Sequence, residues 1–201
     1  MKSFFVGRAL GLIALVALGT PLYVWLQNTN LVWDSSLLMS IFPVLGLMAF
    51  TIMYLHIIGR PFAEQLEQII PWKSLERTSS YLVLILIVLH PVLRFLYYVK
   101  EGLSLIPTGN LVLPLSLGFI GFLMLITYDL GKRFNNSTFV TRHWGKIDFI
   151  STLGFYVIFF HSLMLGSDLQ SGGLRNLWIF FGLTAAIATF HSFVFTRLRR
   201  Q

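Results

Sequence analysis

The stretch that decides the fold is Ser79–Val99, which reads SSYLVLILIVLHPVLRFLYYV. Its length matches the roughly 20 apolar residues that a helix needs to cross a hydrocarbon core about 30 Å thick. Lipid offers no hydrogen-bond partners, so the backbone of such a stretch must satisfy its own polar groups, which favours a helix. Two side chains interrupt the apolar run, His90 and Arg94. Ionisable groups at membrane depth are candidates for function.

Five further stretches have the same apolar character. We predict six membrane-spanning helices, with approximate bounds Phe4–Leu26, Ser36–Ile58, Ser79–Val99, Leu111–Leu130, Ile147–Gly166 and Asn176–Thr196. The predicted fold class is all-α, an integral membrane six-helix bundle in which residues 1–201 form one domain. The first span also resembles a signal peptide, because Lys2 and Arg8 precede its apolar run and small residues lie near Gly19. Cleavage there would leave five helices.

The composition excludes several classes of protein. Hydrophobic residues make up 56% of the chain and charged residues 11%, whereas soluble domains carry about 25% charged residues. The absence of cysteine excludes disulfides, iron–sulfur clusters and thiol catalysis. No glycine-rich phosphate loop of the dinucleotide-binding or Walker type occurs, and we expect no NAD(P)H-binding domain within these 201 residues.

The basic residues predict the orientation. Of the 15 lysines and arginines, twelve fall on one side of the predicted spans, and Arg94, Lys100 and Arg175 fall on the other. The positive-inside rule then places both termini in the cytoplasm. The net charge of +7 is divided into short clusters between apolar runs, which is typical of membrane topology and not of a nucleic-acid-binding face. We therefore predict the lipid bilayer, with no nucleic acid, as partner, and a bacterial inner (cell) membrane as location.

Two histidines match in predicted depth. His90 lies 13 residues after Arg77, and His161 lies 15 residues after Lys146. At 1.5 Å per residue, both are about 20 Å from the cytoplasmic edge. The third and fifth spans run in the same direction, so both imidazoles are expected at one level in the outer half of the membrane. Such a pair can supply the two axial ligands of a haem iron, although a membrane histidine can also be a simple interhelical hydrogen-bond donor.

Other polar side chains offer secondary candidates. Arg94 follows His90 by four residues on the same helix face, where its guanidinium could hold a haem propionate or act as an interfacial anchor. His56 and His191 lie near inner helix ends, either as a second cofactor pair or as interfacial histidines. His143 is expected to be interfacial. No catalytic residue is predicted.

At these residues the sequence resembles the ferric-reductase-like transmembrane family. This family includes NADPH oxidases, STEAP-type metalloreductases and the small haem subunit of the bacterial periplasmic methionine-sulfoxide reductase system. The matching stretches are Leu89-His90-Pro91-Val92-Leu93, Trp144–His161 opened by Thr141-Arg142-His143-Trp144, and Gly59-Arg60-Pro61, within Ser36 to Thr196. The resemblance implies a b-type haem held by His90 and His161 as metal ligands, with Arg94 as a further cofactor-binding residue.

The chain departs from two-haem members of that family at two positions. Glu76 and Asp148 stand where those members have a second pair of histidines. Carboxylates are hard oxygen donors and poor partners for ferrous haem. The comparison therefore implies one haem, in the outer half, as in STEAP-type proteins. The methionine-sulfoxide reductase subunit keeps a histidine at the position of Asp148, so the chain differs from that subunit there.

The predicted function is electron transfer across the membrane to an outer acceptor, which is a metal ion, oxygen, a quinone or a partner protein. The donor is an unidentified flavoprotein or quinone, and a flavin or quinone at the cytoplasmic side could use Arg77, Arg142, Trp144 and Lys146. These four residues could equally be topology charges and an interfacial tryptophan. Two rival functions remain open: an ion or proton transporter lined by Asp129, Asp148, His56 and His191, and a haem-free membrane scaffold for a partner reductase.

Overall fold

The computed structural model describes residues 2–29, 31–34, 36–134 and 136–198, and side chains for residues 7–193 within those ranges. Arg199 and Arg200, two of the basic residues behind the predicted orientation, lie outside the described residues. The helices are α1 Lys2–Asn28, α2 Leu37–Gly59, α3 Ala63–Glu67, α4 Trp72–Lys100, α5 Val112–Arg133, α6 Thr138–Leu165 and α7 Gly172–Leu198. Short 3-10 turns at Arg60–Phe62, Gly109–Leu111 and Ser167–Leu169 precede α3, α5 and α7.

The all-α prediction is confirmed. In the part of the chain that the structure describes, six helices are long and apolar enough to cross a membrane, and α3 is the short seventh. Two predicted boundaries were wrong: α4 begins at Trp72 and not Ser79, and α6 begins at Thr138 and not Ile147. Hydropathy detects only the lipid-matched part of a helix, whereas the backbone hydrogen bonds of α4 and α6 continue through the preceding polar turns. The cytoplasmic orientation of the termini stays a prediction.

The helices form two compact units. The first contains residues 1–97 and 171–201, and therefore α1, α2, α3, most of α4, and α7. The second contains residues 98–170, with α5 and α6 as its long helices. His90 belongs to the first unit and His161 to the second.

The core of the first unit forms where α2 packs against α1 and α7. The rings of Phe50 and Trp178 stack with centroids 4.5 Å apart, and those of Tyr54 and Phe181 stack at 4.0 Å. Trp25 of α1 donates its indole N–H to the Ser40 carbonyl oxygen of α2 at 2.8 Å. Stacked aromatic pairs are worth about 0.5–1.5 kcal/mol beyond their buried area, so α2 is held firmly in this unit.

The second unit is a pair of helices that approach closely at glycines. A Cβ added at Gly121 of α5 would lie 2.7 Å from the Ile158 side chain, and one at Gly154 of α6 would lie 2.8 Å from Met124 Cβ. The position of the Gly154 Cβ is also only 3.3 Å from the Gly121 carbonyl oxygen. Small residues permit this backbone approach, which is how helices gain dispersion contact in lipid.

The helix that carries His90 has defined ends. At its start, Glu67 accepts a hydrogen bond from the backbone N–H of Lys73 at 2.7 Å, which places a carboxylate at the positive end of the helix. After its last residue, Gly102 has φ +65°, and the Leu103 N–H donates to the Tyr98 carbonyl oxygen at 2.9 Å. This is a Schellman-type ending, and the left-handed position favours glycine.

Large apolar side chains remain exposed along the long helices. Leu15 of α1 is 68% exposed and Ile187 of α7 is 70% exposed. Water would penalise surface of this kind by about 25 cal/mol per Å², whereas acyl chains solvate it without penalty. The exposed apolar surface therefore agrees with a chain whose helices cross a bilayer.

Candidate functional site

His90 bridges α4 to α2 through one ring nitrogen. Its Nδ1 lies 2.7 Å from the carbonyl oxygen of Phe42 on α2. A carbonyl oxygen can only accept, so Nδ1 carries the proton and donates it. In the neutral imidazole the lone pair is then on Nε2, the nitrogen that binds metals in this tautomer.

His161 bridges α6 to α5 in the same manner. Its Nδ1 lies 2.7 Å from the carbonyl oxygen of Pro114, in the first turn of α5. The same reasoning puts the proton on Nδ1 and the lone pair on Nε2. Both histidines thus have the tautomer of a metal ligand whose second nitrogen is oriented by a backbone carbonyl.

Each imidazole lies in a gap that a glycine leaves. A Cβ at Gly46 would lie 2.9 Å from Cε1 of His90, and a Cβ at Gly118 would lie 2.6 Å from Cε1 of His161. In both helices the glycine is four residues after the carbonyl that accepts the histidine proton, and therefore on the same helix face. Any side chain at these positions would displace the ring from its carbonyl partner.

Phe42 also connects His90 with Arg94. The Phe42 ring centroid is 5.2 Å from that of His90, at an interplanar angle of 41°. The Arg94 Cζ lies 5.9 Å from the same Phe42 centroid, which is within the range of a cation–π contact. His90 and Arg94, one turn apart on α4, therefore both lie against one aromatic side chain of α2.

His56 has a different environment from His90 and His161. Its Nε2 lies 2.7 Å from Oγ of Ser79 on α4, and Ser79 donates its own proton to the Leu75 carbonyl oxygen at 2.7 Å. The Ser79 hydroxyl must then accept from His56, so Nε2 carries the proton and Nδ1 the lone pair. This tautomer is opposite to that of His90 and His161.

The remaining histidines are His143 of α6, which is half-buried, and His191 of α7. His143 Nδ1 donates to the Phe139 carbonyl oxygen of its own helix at 2.9 Å, and His191 of α7 is exposed. Within the described residues, no cluster of three or more His, Asp or Glu side chains could enclose a metal ion. A haem requires only two protein ligands, because the porphyrin supplies the other four nitrogens.

The four residues of the predicted ion path are divided between the units. His56 and His191 belong to the first unit, and Asp129 and Asp148 to the second. Neither unit therefore assembles the four side chains by itself. Glu76 lies in the first unit and Asp148 in the second, so the two acidic positions from which the family resemblance predicts a single haem are likewise on separate units.

An aromatic and cationic cluster lies in the second unit where α5 ends and α6 begins. The rings of Tyr128 and Trp144 are 5.5 Å apart, and Lys132 Nζ lies 4.6 Å from the Tyr128 centroid. A Cβ at Gly131 would lie 3.3 Å from the Trp144 ring, so Trp144 packs between α5 and α6. Of the residues suggested for an inner flavin or quinone, Trp144 is thus fixed by the packing of these two helices.

Sequence reasoning missed the partners of the two histidines. Phe42 and Gly46 on α2, and Pro114 and Gly118 on α5, were not predicted to be part of a site. A signal was present, because glycine weakens a helix by roughly 1 kcal/mol relative to alanine unless close contact requires it. A glycine inside the span before each histidine therefore indicates some close contact, but the sequence does not say which side chain makes it.

Comparison of the chain with protein-family models, curated proteins and solved structures found no match. The resemblance to ferric-reductase-like membrane domains therefore depends on the sequence motifs alone and stays a prediction.

Two features of the described residues fit the donor set of a haem. The chemistry fits, because each imidazole has a protonated, carbonyl-bonded Nδ1 and presents Nε2 as the basic nitrogen. The local shape fits, because each imidazole occupies the space that a Cβ at Gly46 or Gly118 would fill. Arg94 lies one turn from His90 on the same helix, and a guanidinium is a side chain that pairs with carboxylates.

Proposed function

We propose that the chain is an electron-carrying subunit of a membrane oxidoreductase, in which His90 and His161 hold one b-type haem in the outer half of the bilayer. When bound, the haem supplies one-electron redox chemistry, and the protein supplies ligands, orientation and a low dielectric. Electrons would come from a flavoprotein or quinone on the cytoplasmic side and pass to a metal ion, oxygen, a quinone or a partner protein outside.

The observation that carries this proposal is the shared tautomer of His90 and His161. Both donate Nδ1–H to a backbone carbonyl of the preceding long helix at 2.7 Å. This bond orients the ring and, in the neutral imidazole, keeps the proton on Nδ1 and the lone pair on Nε2. His56, which bonds through Nε2, lacks this arrangement. His143 shares the tautomer but donates to a carbonyl of its own helix. The two histidines of matched predicted depth are the two whose described Nδ1–H bond reaches a carbonyl of another helix.

Arg94 has a positioning role in this proposal. Its contact with Phe42 restricts a long side chain that would otherwise sample many rotamers. A guanidinium held beside His90 is available to form paired hydrogen bonds with a carboxylate. Arg94 would therefore bind a propionate and fix which edge of the porphyrin points outward.

A haem-free role is the main competing function, and a specific observation favours it as the second candidate. The same hydrogen bonds join α4 to α2 and α6 to α5, so each histidine already has a structural use as an interhelical bridge. Substitution by asparagine separates the two roles. Its amide N–H occupies roughly the position of Nδ1 and can donate to the carbonyl, while nothing replaces Nε2.

Absorbance spectra of the detergent-purified protein test the proposal. Protein expressed with supplemented haem precursor should show a Soret band and sharpened α and β bands after dithionite reduction. His90→Asn and His161→Asn should each fold and lose the wild-type low-spin spectrum, and added imidazole should restore part of it. A folded wild-type protein with no chromophore would contradict the proposal.

Matched controls are available among the other histidines. His191→Asn changes an exposed residue, and His143→Asn changes a half-buried residue whose described hydrogen bond stays within its own helix. Both variants should leave the spectrum unchanged. His56→Asn tests the alternative inner site. If His56→Asn abolishes the spectrum and His90→Asn does not, the ligand assignment is wrong.

A further inference from the structure

We propose that Gly46 and Gly118 are positioning residues for the two axial histidines, and that the chain uses the same three-part arrangement twice. Each copy consists of an accepting carbonyl, a glycine four residues later, and a histidine on the next long helix. This inference deepens the proposed function and, in its part about ligation, rests on it.

The two copies correspond in spacing and in distance. Phe42 and His90 are 48 residues apart, and Pro114 and His161 are 47 residues apart. The two hydrogen bonds have the same length, 2.7 Å. A proline also accompanies each copy, Pro43 in α2 and Pro114 in α5. The pair α2 and α4 in the first unit and the pair α5 and α6 in the second therefore present their histidines in one manner.

The glycines are necessary because the rings lie directly over them. The atoms that a Cβ would approach are Cε1 and Nδ1 of the imidazole, at 2.9 and 3.0 Å for Gly46 and at 2.6 and 2.7 Å for Gly118. Real Cβ atoms do not approach other heavy atoms this closely, so the ring would have to move. Movement of the ring away from the helix lengthens the bond from Nδ1 to the carbonyl, and that bond sets the tautomer.

A methyl group at either glycine should thus weaken ligation without touching the ligand residue. Loss of an orienting partner typically reduces metal affinity by about 10–100-fold. Without the carbonyl bond, the imidazole also donates less electron density to the iron. Ferric iron is then stabilised less than ferrous iron, so the reduction potential of the bound haem should rise. A residue that matters only for packing would not change the potential in this way.

Single alanine variants with matched controls test the assignment. The test variants are Gly46→Ala and Gly118→Ala. Gly11→Ala in α1 and Gly145→Ala in α6 are open-space controls, because a Cβ there meets nothing within 4 Å. Gly121→Ala is the packing control, since its Cβ would press on Ile158 of α6 and not on a histidine.

The first measurement is made without haem. Side-chain ¹⁵N spectra of histidine-labelled apoprotein should show His90 and His161 with protonated Nδ1 and unprotonated Nε2. Gly46→Ala should perturb the His90 signals alone, and Gly118→Ala the His161 signals alone. Unchanged imidazole signals in both variants would overturn the positioning role, whatever the chain binds.

The second measurement is a haemin titration of the same samples, followed by potentiometry. Gly46→Ala and Gly118→Ala should each weaken binding by about 10–100-fold and raise the potential of the bound haem. Gly11→Ala and Gly145→Ala should match wild type, and Gly121→Ala should lower stability without raising the potential. Wild-type binding with unaffected glycine variants would overturn this inference and leave the proposed function intact. Expected imidazole signals with no haem uptake by wild type would overturn the proposed function and leave the ring positioning intact.

Discussion

His90 and His161 have the same hydrogen bond in two differently packed units. Around His161, α5 and α6 approach so closely that Cβ atoms at Gly121 or Gly154 would clash with the opposite helix. Around His90, α4 meets α2 through side chains such as the imidazole itself, and Val83 and Ile87 are the buried side chains of α4. The histidine hydrogen bond is therefore one contact among many in the second unit, whereas in the first unit it is a major contact of α4.

The helix that carries the histidine is held in place differently in the two units. The second unit offers a rigid platform in which the position of His161 follows from backbone packing. In the first unit, α2 is anchored to α1 and α7 by Trp25, Trp178 and Phe181, and α4 is positioned against α2 by His90, Trp72 and the bond from His56 to Ser79. The position of α4, which has fewer buried residues than α6, therefore depends more on polar contacts.

The largest stability effect should come from the glycine contact of the second unit. Gly154→Ala would place a Cβ 2.8 Å from Met124 Cβ and 3.3 Å from backbone atoms of α5, none of which is a flexible side-chain end. Overpacking of this kind costs about 1–3 kcal/mol. Reversible unfolding of the protein in mixed micelles measures the loss. Gly145→Ala is the control, because a Cβ there meets nothing within 4 Å, and it should be neutral or slightly stabilising.

A smaller effect should follow when the two histidine bridges are removed one at a time. Interhelical hydrogen bonds in membranes average about 0.6 kcal/mol, and His90→Ala and His161→Ala also remove ring packing. In the haem-free protein, His90→Ala should disturb the position of α4 more than His161→Ala disturbs α6, since α6 keeps its glycine contacts. Hydrogen exchange of the two helices compares the effects. If α4 in His90→Ala and α6 in His161→Ala lose the same amount of hydrogen-exchange protection, the two histidines are equally important for helix position.

The smallest effect should be that of Ser79→Ala. It removes the acceptor for His56 and the contact of Ser79 with Leu75, which should lower the free energy of unfolding by about 0.6 kcal/mol. It should not change the absorbance spectrum, because His56 is not proposed as a ligand. A spectrum that shifts in Ser79→Ala and stays normal in Ser80→Ala would place a cofactor near the C-terminal end of α2.

The six long helices could be predicted because apolar length alone determines a membrane span. The polar starts of α4 and α6 could not, because residues 72–78 and 138–146 lack the apolar character that marks lipid depth. His90, His161 and Arg94 could be selected because ionisable residues are rare inside apolar spans. Their partners Phe42 and Pro114 act through backbone carbonyls, and a carbonyl has no sequence signature. Gly46 and Gly118 were recognisable only after the approaching ring was seen.

The most direct test of the central claim is the number of haems and iron–imidazole bonds per chain. Wild-type protein should bind one haem per chain, with a low-spin electron paramagnetic resonance signal typical of two imidazole ligands. His90→Asn and His161→Asn should each remove that signal from the whole population. If each variant instead keeps a full complement of low-spin haem, or if wild type binds none, then His90 and His161 do not share one porphyrin and the account is wrong.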